Sequence, residues 1–127
     1  MIIKEITSSE AEAVLFEPEI WERIKVSDEK PKLPDKNTIY LGGFIDRQLF
    51  GVVIYYIKEK ITTCHIQVIK KYRGLAVEFG KKALMLSPSK VLYTNIPNKY
   101  KDVAKFAKYF GFLPIRQIQN QIIYRRG

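Results

Sequence analysis

The sequence predicts a mixed α/β domain, in which one mostly antiparallel sheet of six or seven strands carries four helices on its two faces. Its 127 residues suit one compact core, so we expect a single domain over residues 1–127. The composition, 46% hydrophobic and 13% aromatic, is that of a globular chain. The apolar pattern gives the element order β-α-α-β-β-β-α-β-α-β-β. Its later strand–helix–strand segment implies local parallel pairing.

The start of the chain predicts an edge strand and two short helices. MIIKEIT has apolar residues at positions 2, 3 and 6, which is typical of a strand. Thr7 and Glu10 have the spacing of a capping box, so we expect a helix from there to Phe16. Pro18 is well placed as an early residue of a second helix. The polar segment 27–37 contains two prolines and is too short to join two domains.

Three strands are predicted next. The segments TIYLGGFI and LFGVVIYYIKEK are separated by Asp46, Arg47 and Gln48, a turn that favours a hairpin. ITTCHIQVI is the third strand, and it contains Cys64 beside His65. Successive side chains on a strand point to opposite faces, so these two residues do not form a metal site, and no other cluster of metal ligands is evident.

The second half alternates helices with strands. Apolar or small residues at 76, 79, 80, 83 and 84 predict a helix that begins near Leu75 and lies on the sheet. KVLYTNI is the next strand, and YKDVAKFAKYF is a helix that Gly111 ends. FLPIRQI and NQIIYRR are the last strands. Pro114 restricts the first of these to a sheet edge or a bulge.

Charge is distributed unevenly along the chain. Residues 1–29 hold eight acidic and three basic side chains, whereas residues 30–127 hold nineteen basic and five acidic ones. The basic part attracts anions, which include nucleic acid, a phosphorylated cofactor or an acidic partner protein. A solvated lysine-rich surface is the simpler alternative.

The sequence also indicates the compartment in which the protein works. No apolar run approaches the roughly 20 residues of a membrane helix, and the N-terminus lacks the basic start of a secretory signal. Cys64 is the single cysteine, so it forms no internal disulfide, and its neighbours indicate a buried strand position. We therefore expect a cytoplasmic protein that does not bind membranes.

A basic turn joins the third strand of the central block to the next helix. In HIQVIKKYRGLAVEFGKKAL, three cations, Lys70, Lys71 and Arg73, stand just before the helix. The first amide groups of a helix lack intrahelical partners and attract anions. Cations at the same place indicate a phosphate-bearing ligand. A solvated surface turn is the alternative.

Two motifs stand out in the second half of the chain: Val68-Ile-Lys-Lys-Tyr-Arg73-Gly74, and the helix led by Asn98 that ends in Gly111-Phe112. With the element order, they resemble the GNAT superfamily of acyl-CoA-dependent N-acetyltransferases over nearly the whole chain. The resemblance implies a GNAT-like sheet with parallel, splayed fourth and fifth strands, and acetyl-CoA as cosubstrate. It implies that the fourth strand pairs with the pantetheine arm and that the loop amides hold the pyrophosphate. The cofactor-binding residues carried over in this way are Ile66, Val68, Lys71, Arg73, Gly74, Leu75, Ala76 and Asn98.

The pyrophosphate loop matches the family pattern in two registers. If the pattern starts at Lys71, its small positions are Gly74 and Ala76. If it starts at Arg73, they are Ala76 and Glu78, which puts a carboxylate near phosphate. The chemistry favours the Lys71 register, whereas the V-x-x-x-x-R-G match favours the other.

The catalytic residues of the family are incompletely matched. Ala107 stands where many members have the tyrosine that protonates the leaving thiolate, while Tyr109 and Tyr100 lie nearby without the family spacing. His65 is the only titratable group of suitable pKa on the fourth strand, so it is the candidate base. A hydrogen-bonded structural histidine is the alternative. We therefore expect slow transfer, driven largely by positioning.

A narrower resemblance leads to a second hypothesis. The short chain, the F-x-P-x-I-W segment and the R-G-x-A-x-E turn look like a GNAT-like branch encoded by tailed phages. That branch implies a catalytically weak or inactive protein with a role in virion head assembly, a phage or host protein partner, and a place in the host cytoplasm or virion. The first hypothesis is acetyl transfer to an unidentified primary amine. A nucleic-acid module ranks last, and a homodimer stays open.

Overall fold

Seven strands form one mixed sheet in the computed structural model, which describes residues 1–127. The order across the sheet is β1-β2-β3-β4-β5-β7-β6, and every neighbouring pair is antiparallel except β4 and β5. The predicted element order and mixed sheet are therefore confirmed. The strands are β1 Ile2–Ile6, β2 Thr38–Ile45, β3 Gln48–Lys58, β4 Ile61–Val68, β5 Leu92–Pro97, β6 Leu113–Ile118 and β7 Gln121–Arg126.

Four α-helices and one 3-10 helix flank this sheet. The 3-10 helix occupies the predicted basic turn and runs directly into α3. None of the helices has the length and apolar character needed to cross a membrane. The helices are α1 Ser8–Leu15, α2 Pro18–Ile24, the 3-10 helix Lys70–Leu75, α3 Ala76–Met85 and α4 Lys101–Tyr109.

The ends of the helices use the signals that the sequence predicts. The Thr7 side chain accepts a hydrogen bond from the Glu10 amide at 3.1 Å, and the Glu10 carboxylate accepts one from the Thr7 amide at 3.0 Å. Gly111 follows α4 with a φ of +88°. Its amide donates to Lys108 and the Phe112 amide to the Ala107 carbonyl, which is a Schellman motif. Both predictions are confirmed.

The β2–β3 turn is shorter than predicted. It contains only Asp46 and Arg47, with φ of 48° and 67°, while Gln48 already pairs with Ile45 in the sheet. Positive φ at both central residues gives a twist that matches the flanking strands, so a two-residue turn closes the hairpin. The three-residue turn predicted from the sequence is therefore wrong, because Gln48 is the first residue of β3.

One face of the sheet is covered by α3 and α4, and Phe79 lies at its centre. A Cβ added at Gly43 would lie 2.8 Å from Phe79, and one added at Gly51 would lie 2.9 Å from it. These two glycines therefore let the ring approach the sheet closely. The Tyr55 hydroxyl donates to the Ala83 carbonyl at 2.8 Å and fixes α3 along the strands.

The other face is covered by α1 and α2. Their apolar residues form a second cluster with β1, β2 and β3, which confirms that helices lie on both faces. Its buried members are Ile6, Ala11, Val14, Leu15, Ile20, Tyr40 and Val52.

The sheet opens between β4 and β5. These parallel strands pair at a single position, Thr63 with Tyr93, and diverge toward their C-terminal ends. At the far edge, β6 has a register shift between Pro114 and Arg116, which accommodates the proline as predicted. The expected splay of the fourth and fifth strands is confirmed. We name the open region the β4–β5 gap.

Removing the Phe79 ring should destabilise the protein strongly. Phe79→Ala leaves a cavity at a fully buried position, so we expect a loss of about 3–5 kcal/mol in the free energy of unfolding. Urea denaturation with an unchanged m-value measures it. Val77→Ala on the same helix, where 38% of the side chain is exposed, is the control and should change stability by less than about 0.5 kcal/mol. Equal effects of the two substitutions would contradict this packing.

Candidate functional site

The backbone of β4 is available to a ligand along the β4–β5 gap. The Ile69 amide donates to the Phe50 carbonyl at 2.9 Å, and Val68 lies opposite Gly51. In an antiparallel pair, alternate residues direct both backbone groups to the partner strand. The N–H and C=O groups of Ile66 and Val68 therefore point away from β3, into the gap. No strand lies opposite them, so an extended ligand can pair with this edge.

The 3-10 helix lies at the wide end of the gap and carries unpaired positive charge. Lys71 and Arg73 are exposed and form no ion pair with an acidic side chain. Lys70 is 3.6 Å from Glu19. A Cβ added at Gly74 would meet no atom within 4 Å, so the backbone there is open to an approaching anion.

The amides of this turn are partly used within the chain. The Tyr72 amide donates to Ile69, and the Ala76 amide donates to the Arg73 carbonyl. Leu75 and Ala76 are half-buried against the core of the α3 face. The side-chain cations and the remaining amides are therefore the groups of this turn that are available to an anion.

Glu78, which the loop register starting at Arg73 would place near phosphate, forms an ion pair. It lies in the first turn of α3 and pairs with Lys82 at 3.2 Å, one helical turn later. This pair reduces the negative charge that Glu78 would present to a phosphate.

Asn98 offers an unused hydrogen-bond acceptor beyond the end of β5. The backbone amide of Asn98 donates to the Asn120 carbonyl at 2.8 Å, while its side-chain Oδ1 atom is buried and has no partner. A buried acceptor without a partner is costly, so a donor group on a ligand would be stabilised there.

Helix α2 bridges the two rims of the gap. Glu19 reaches Lys70 after β4, while Arg23 pairs with Asp102 after β5 at 3.2 Å. The Arg23 guanidinium also lies 4.5 Å from the centre of the Tyr100 ring, and the Tyr100 hydroxyl donates to the Arg23 carbonyl at 2.9 Å. The hydrogen bond from Arg23 lowers the pKa of Asp102. We name Arg23, Tyr100 and Asp102 the α2 clasp.

A pocket of about 500 Å³ lies on the α1–α2 side of β4. We name it the α2 pocket; α1, α2, the segment 25–33 and strands β3 and β4 form its walls. The Phe16 and Trp21 rings contact each other edge to face with centroids 5.3 Å apart. Its apolar lining includes Leu15, Phe16, Trp21, Ile24, Leu33 and Ile54.

The polar groups of the α2 pocket are few. Lys25 donates to Asp28 at 2.8 Å and lies 3.1 Å from Glu22, so its charge is already balanced. Glu29 lines the pocket without a cationic partner. From β4, His65 and Gln67 face the same space.

His65 forms no hydrogen bond with another residue, so the structure does not show a hydrogen-bonded structural histidine. Solvent reaches its ring, but the concave walls around it remove part of its hydration. That desolvation lowers the pKa of His65 from its ordinary value of 6.5, so the imidazole is largely neutral at pH 7. Its neighbour Cys64 faces the other side of the sheet, where burial raises the pKa of the thiol to about 12.

The tyrosine candidates lie in different places. Tyr109 is 59% exposed and lines a groove between α3 and α4, on the face opposite His65. Ala107 is only 9% exposed and packs in the core of that face. The structure therefore does not bring Tyr109 and His65 together. Tyr100 follows β5, and its hydroxyl donates to the Arg23 carbonyl of α2.

Sequence reasoning missed the α2 clasp and the α2 pocket. Arg23 and Asp102 are 79 positions apart, and no local pattern relates them. Trp21 lies on α2, and its ring lines the pocket, which no local pattern indicates. The only available signal was the sequence proximity of Phe16 and Trp21.

Solved structures share this architecture over almost the full chain. The protein smu.2055 of Streptococcus mutans UA159 has a TM-score of 0.73 and 19% identity, covering 98% of each chain. Campylobacter jejuni N-acetyltransferase PseH, crystallised with acetyl coenzyme A, has a TM-score of 0.69 and 16% identity, covering 98% of this chain and 97% of PseH. A GNAT-family acetyltransferase of Streptococcus pneumoniae has a TM-score of 0.70 and 15% identity, covering 98% of each chain.

These similarities show that the chain has the GNAT fold. No protein-family model matches the chain, and no curated protein matches it. The three structures come from bacteria and lend no support to the narrower resemblance to tailed-phage proteins.

The single histidine should titrate below its ordinary pKa. NMR titration of the His65 ring can be assigned without ambiguity, because the chain has no other histidine. We expect an apparent pKa below 6.5 in the folded protein and near 6.5 in urea. As pH falls, the unfolded chain then binds this proton before the folded chain does. The free energy of unfolding should therefore decrease between about pH 6.5 and the folded pKa of His65. Above about pH 6.5 this residue should have no effect on stability. A folded pKa at or above 6.5 would contradict the desolvated position.

Proposed function

We propose that this chain is an acyl-CoA-dependent N-acetyltransferase that transfers an acetyl group to a primary amine. The β4–β5 gap carries the proposal, because it combines an unpaired strand edge with a basic turn at its wide end. The GNAT fold of the chain supports it, as does the acetyl coenzyme A held by PseH, which has a similar structure.

The residues around the gap fit acetyl-CoA, which supplies an acetyl group activated as a thioester. The backbone groups of Ile66 and Val68 suit the amides of the pantetheine arm. The unpartnered Oδ1 of Asn98 can accept from an N–H of the same arm. At the wide end, Lys71, Arg73, Gly74, Leu75 and Ala76 form the site proposed for the pyrophosphate.

His65 is the proposed base for the amine. The amine nitrogen forms a bond to the thioester carbonyl carbon while the carbon–sulfur bond breaks, and the neutral His65 ring takes the proton that the amine loses. Ala107 offers no proton to the leaving thiolate. That proton comes from solvent or from the hydroxyl of Tyr100 in the α2 clasp.

Arg73→Glu should weaken acetyl-CoA binding. Reversing an exposed charge removes an attraction to phosphate and adds a repulsion, so we expect about a 10- to 100-fold higher Kd by calorimetry. The variant's affinity should also depend less on salt than that of the wild type. Arg116→Glu on the distant edge strand β6 is the matched control and should bind as the wild type does. Equal affinity of all three proteins would place the anion site elsewhere.

His65→Gln should slow acetyl transfer at pH 7 without changing acetyl-CoA affinity. A general base typically contributes 10²–10⁴-fold, so we expect a loss of about 100-fold or more in kcat. The wild-type rate should fall as acidification protonates His65, and the variant should lack that step. At a pH high enough to deprotonate the free amine, the two rates should converge. A variant as fast as the wild type at pH 7 would remove His65 from the mechanism.

A structural or assembly role is the second candidate function. Edge strand β6 exposes three large apolar side chains, Leu113, Ile115 and Ile118, at an unpaired side of the sheet. Such an edge can pair with another protein or with a second copy of the chain. Absence of acetyl-CoA binding in calorimetry, together with a stable assembly in sedimentation, would favour this role.

A further inference from the structure

We infer that the α2 pocket binds the amine acceptor, and that this acceptor is a monoamine on a flat apolar body, of the arylalkylamine class. The inference rests on the proposed function and specifies its acceptor. A volume of about 500 Å³ accommodates a small molecule of that kind. The Phe16 and Trp21 rings, with the aliphatic side chains of Ile24 and Leu33, provide the apolar contact surface.

The charged side chains of the pocket favour a ligand with a single ammonium group. Lys25 is balanced by Glu22 and Asp28, so it neither repels a cation strongly nor leaves those acids free. Glu29 is the lining carboxylate without a cationic partner. A polyamine would require several such carboxylates, whereas a monoamine requires one.

The position of β4 orients the acceptor. His65 and Gln67 face the α2 pocket, while the backbone groups of Ile66, the residue between them, point into the β4–β5 gap. The amino end of the acceptor must therefore lie toward β4, where the acyl group would arrive and His65 can take a proton. The apolar body then lies toward Trp21 and Ile24 on α2.

Trp21 makes this inference testable without acetyl-CoA, because it is the only tryptophan in the chain and lines the pocket. Tryptophan fluorescence is titrated with 2-phenylethylamine, 2-phenylethanol and spermidine. We expect a saturable change with 2-phenylethylamine, at least about tenfold weaker binding of the alcohol, which lacks the charge, and no saturable change with spermidine.

Matched variants locate the site. Ile24→Lys places a cation on the apolar wall, so 2-phenylethylamine binding should be lost, whereas Ile118→Lys at a similarly exposed position on β6 should bind normally. Glu29→Gln should raise the Kd about fivefold to tenfold, and Glu5→Gln on β1 should not. Circular dichroism verifies that each variant is folded.

The outcomes separate the acceptor inference from the proposed function. Binding of 2-phenylethylamine that Ile24→Lys abolishes, followed by its acetylation, supports both. The same binding without acetylation keeps the acceptor pocket and overturns the transferase. Acetylation of spermidine without binding of 2-phenylethylamine keeps the transferase and overturns the acceptor class. Binding that Ile24→Lys leaves unchanged overturns the location.

Discussion

The single residue pair that joins β4 to β5 is the constraint on which the rest of the site depends. Strands that diverge after one pairing leave backbone donors and acceptors without a partner strand, which is costly unless something satisfies them. Here the unsatisfied groups are those of Ile66 and Val68 on β4, which have no strand opposite them. A strand edge with unmet backbone hydrogen bonds can pair with a polar, extended ligand.

Helix α2 contributes to the core, to the clasp and to the α2 pocket. Its seven residues place Ile20 in the core, Arg23 in the clasp, and Trp21 with Ile24 on the wall of the α2 pocket. The 3.6-residue period of a helix distributes these side chains over different directions. The Glu19–Lys70 and Arg23–Asp102 contacts are exposed ion pairs of small individual stability, so burial of Ile20 holds the helix in place. Movement of α2 would therefore alter the gap and the pocket together.

The sequence predicted local features well and distant contacts poorly. The capping box at Thr7 and the glycine stop at Gly111 depend on residues three to five positions apart, and both are present. The β2–β3 turn was missed by one residue, because its positive-φ positions hold Asp46 and Arg47 rather than glycine. The clasp joins residues 77 to 79 positions apart, and the α2 pocket forms only when the segment 25–33 folds beside β4. Periodicity carries no information on either.

Ala107 illustrates how packing can decide a catalytic question that spacing alone leaves open. Compared with the family motif, it is a missing proton donor; in the fold, it is a buried residue of the α3 and α4 core. A tyrosine at this position would have to displace core side chains, and overpacking typically costs about 1–3 kcal/mol. Tyr100, the tyrosine of the α2 clasp, is the proposed alternative donor, and its hydroxyl already donates to the Arg23 carbonyl. In the proposed reaction, proton delivery by Tyr100 would require this hydrogen bond to the Arg23 carbonyl to break, which would couple movement of α2 to acetyl transfer.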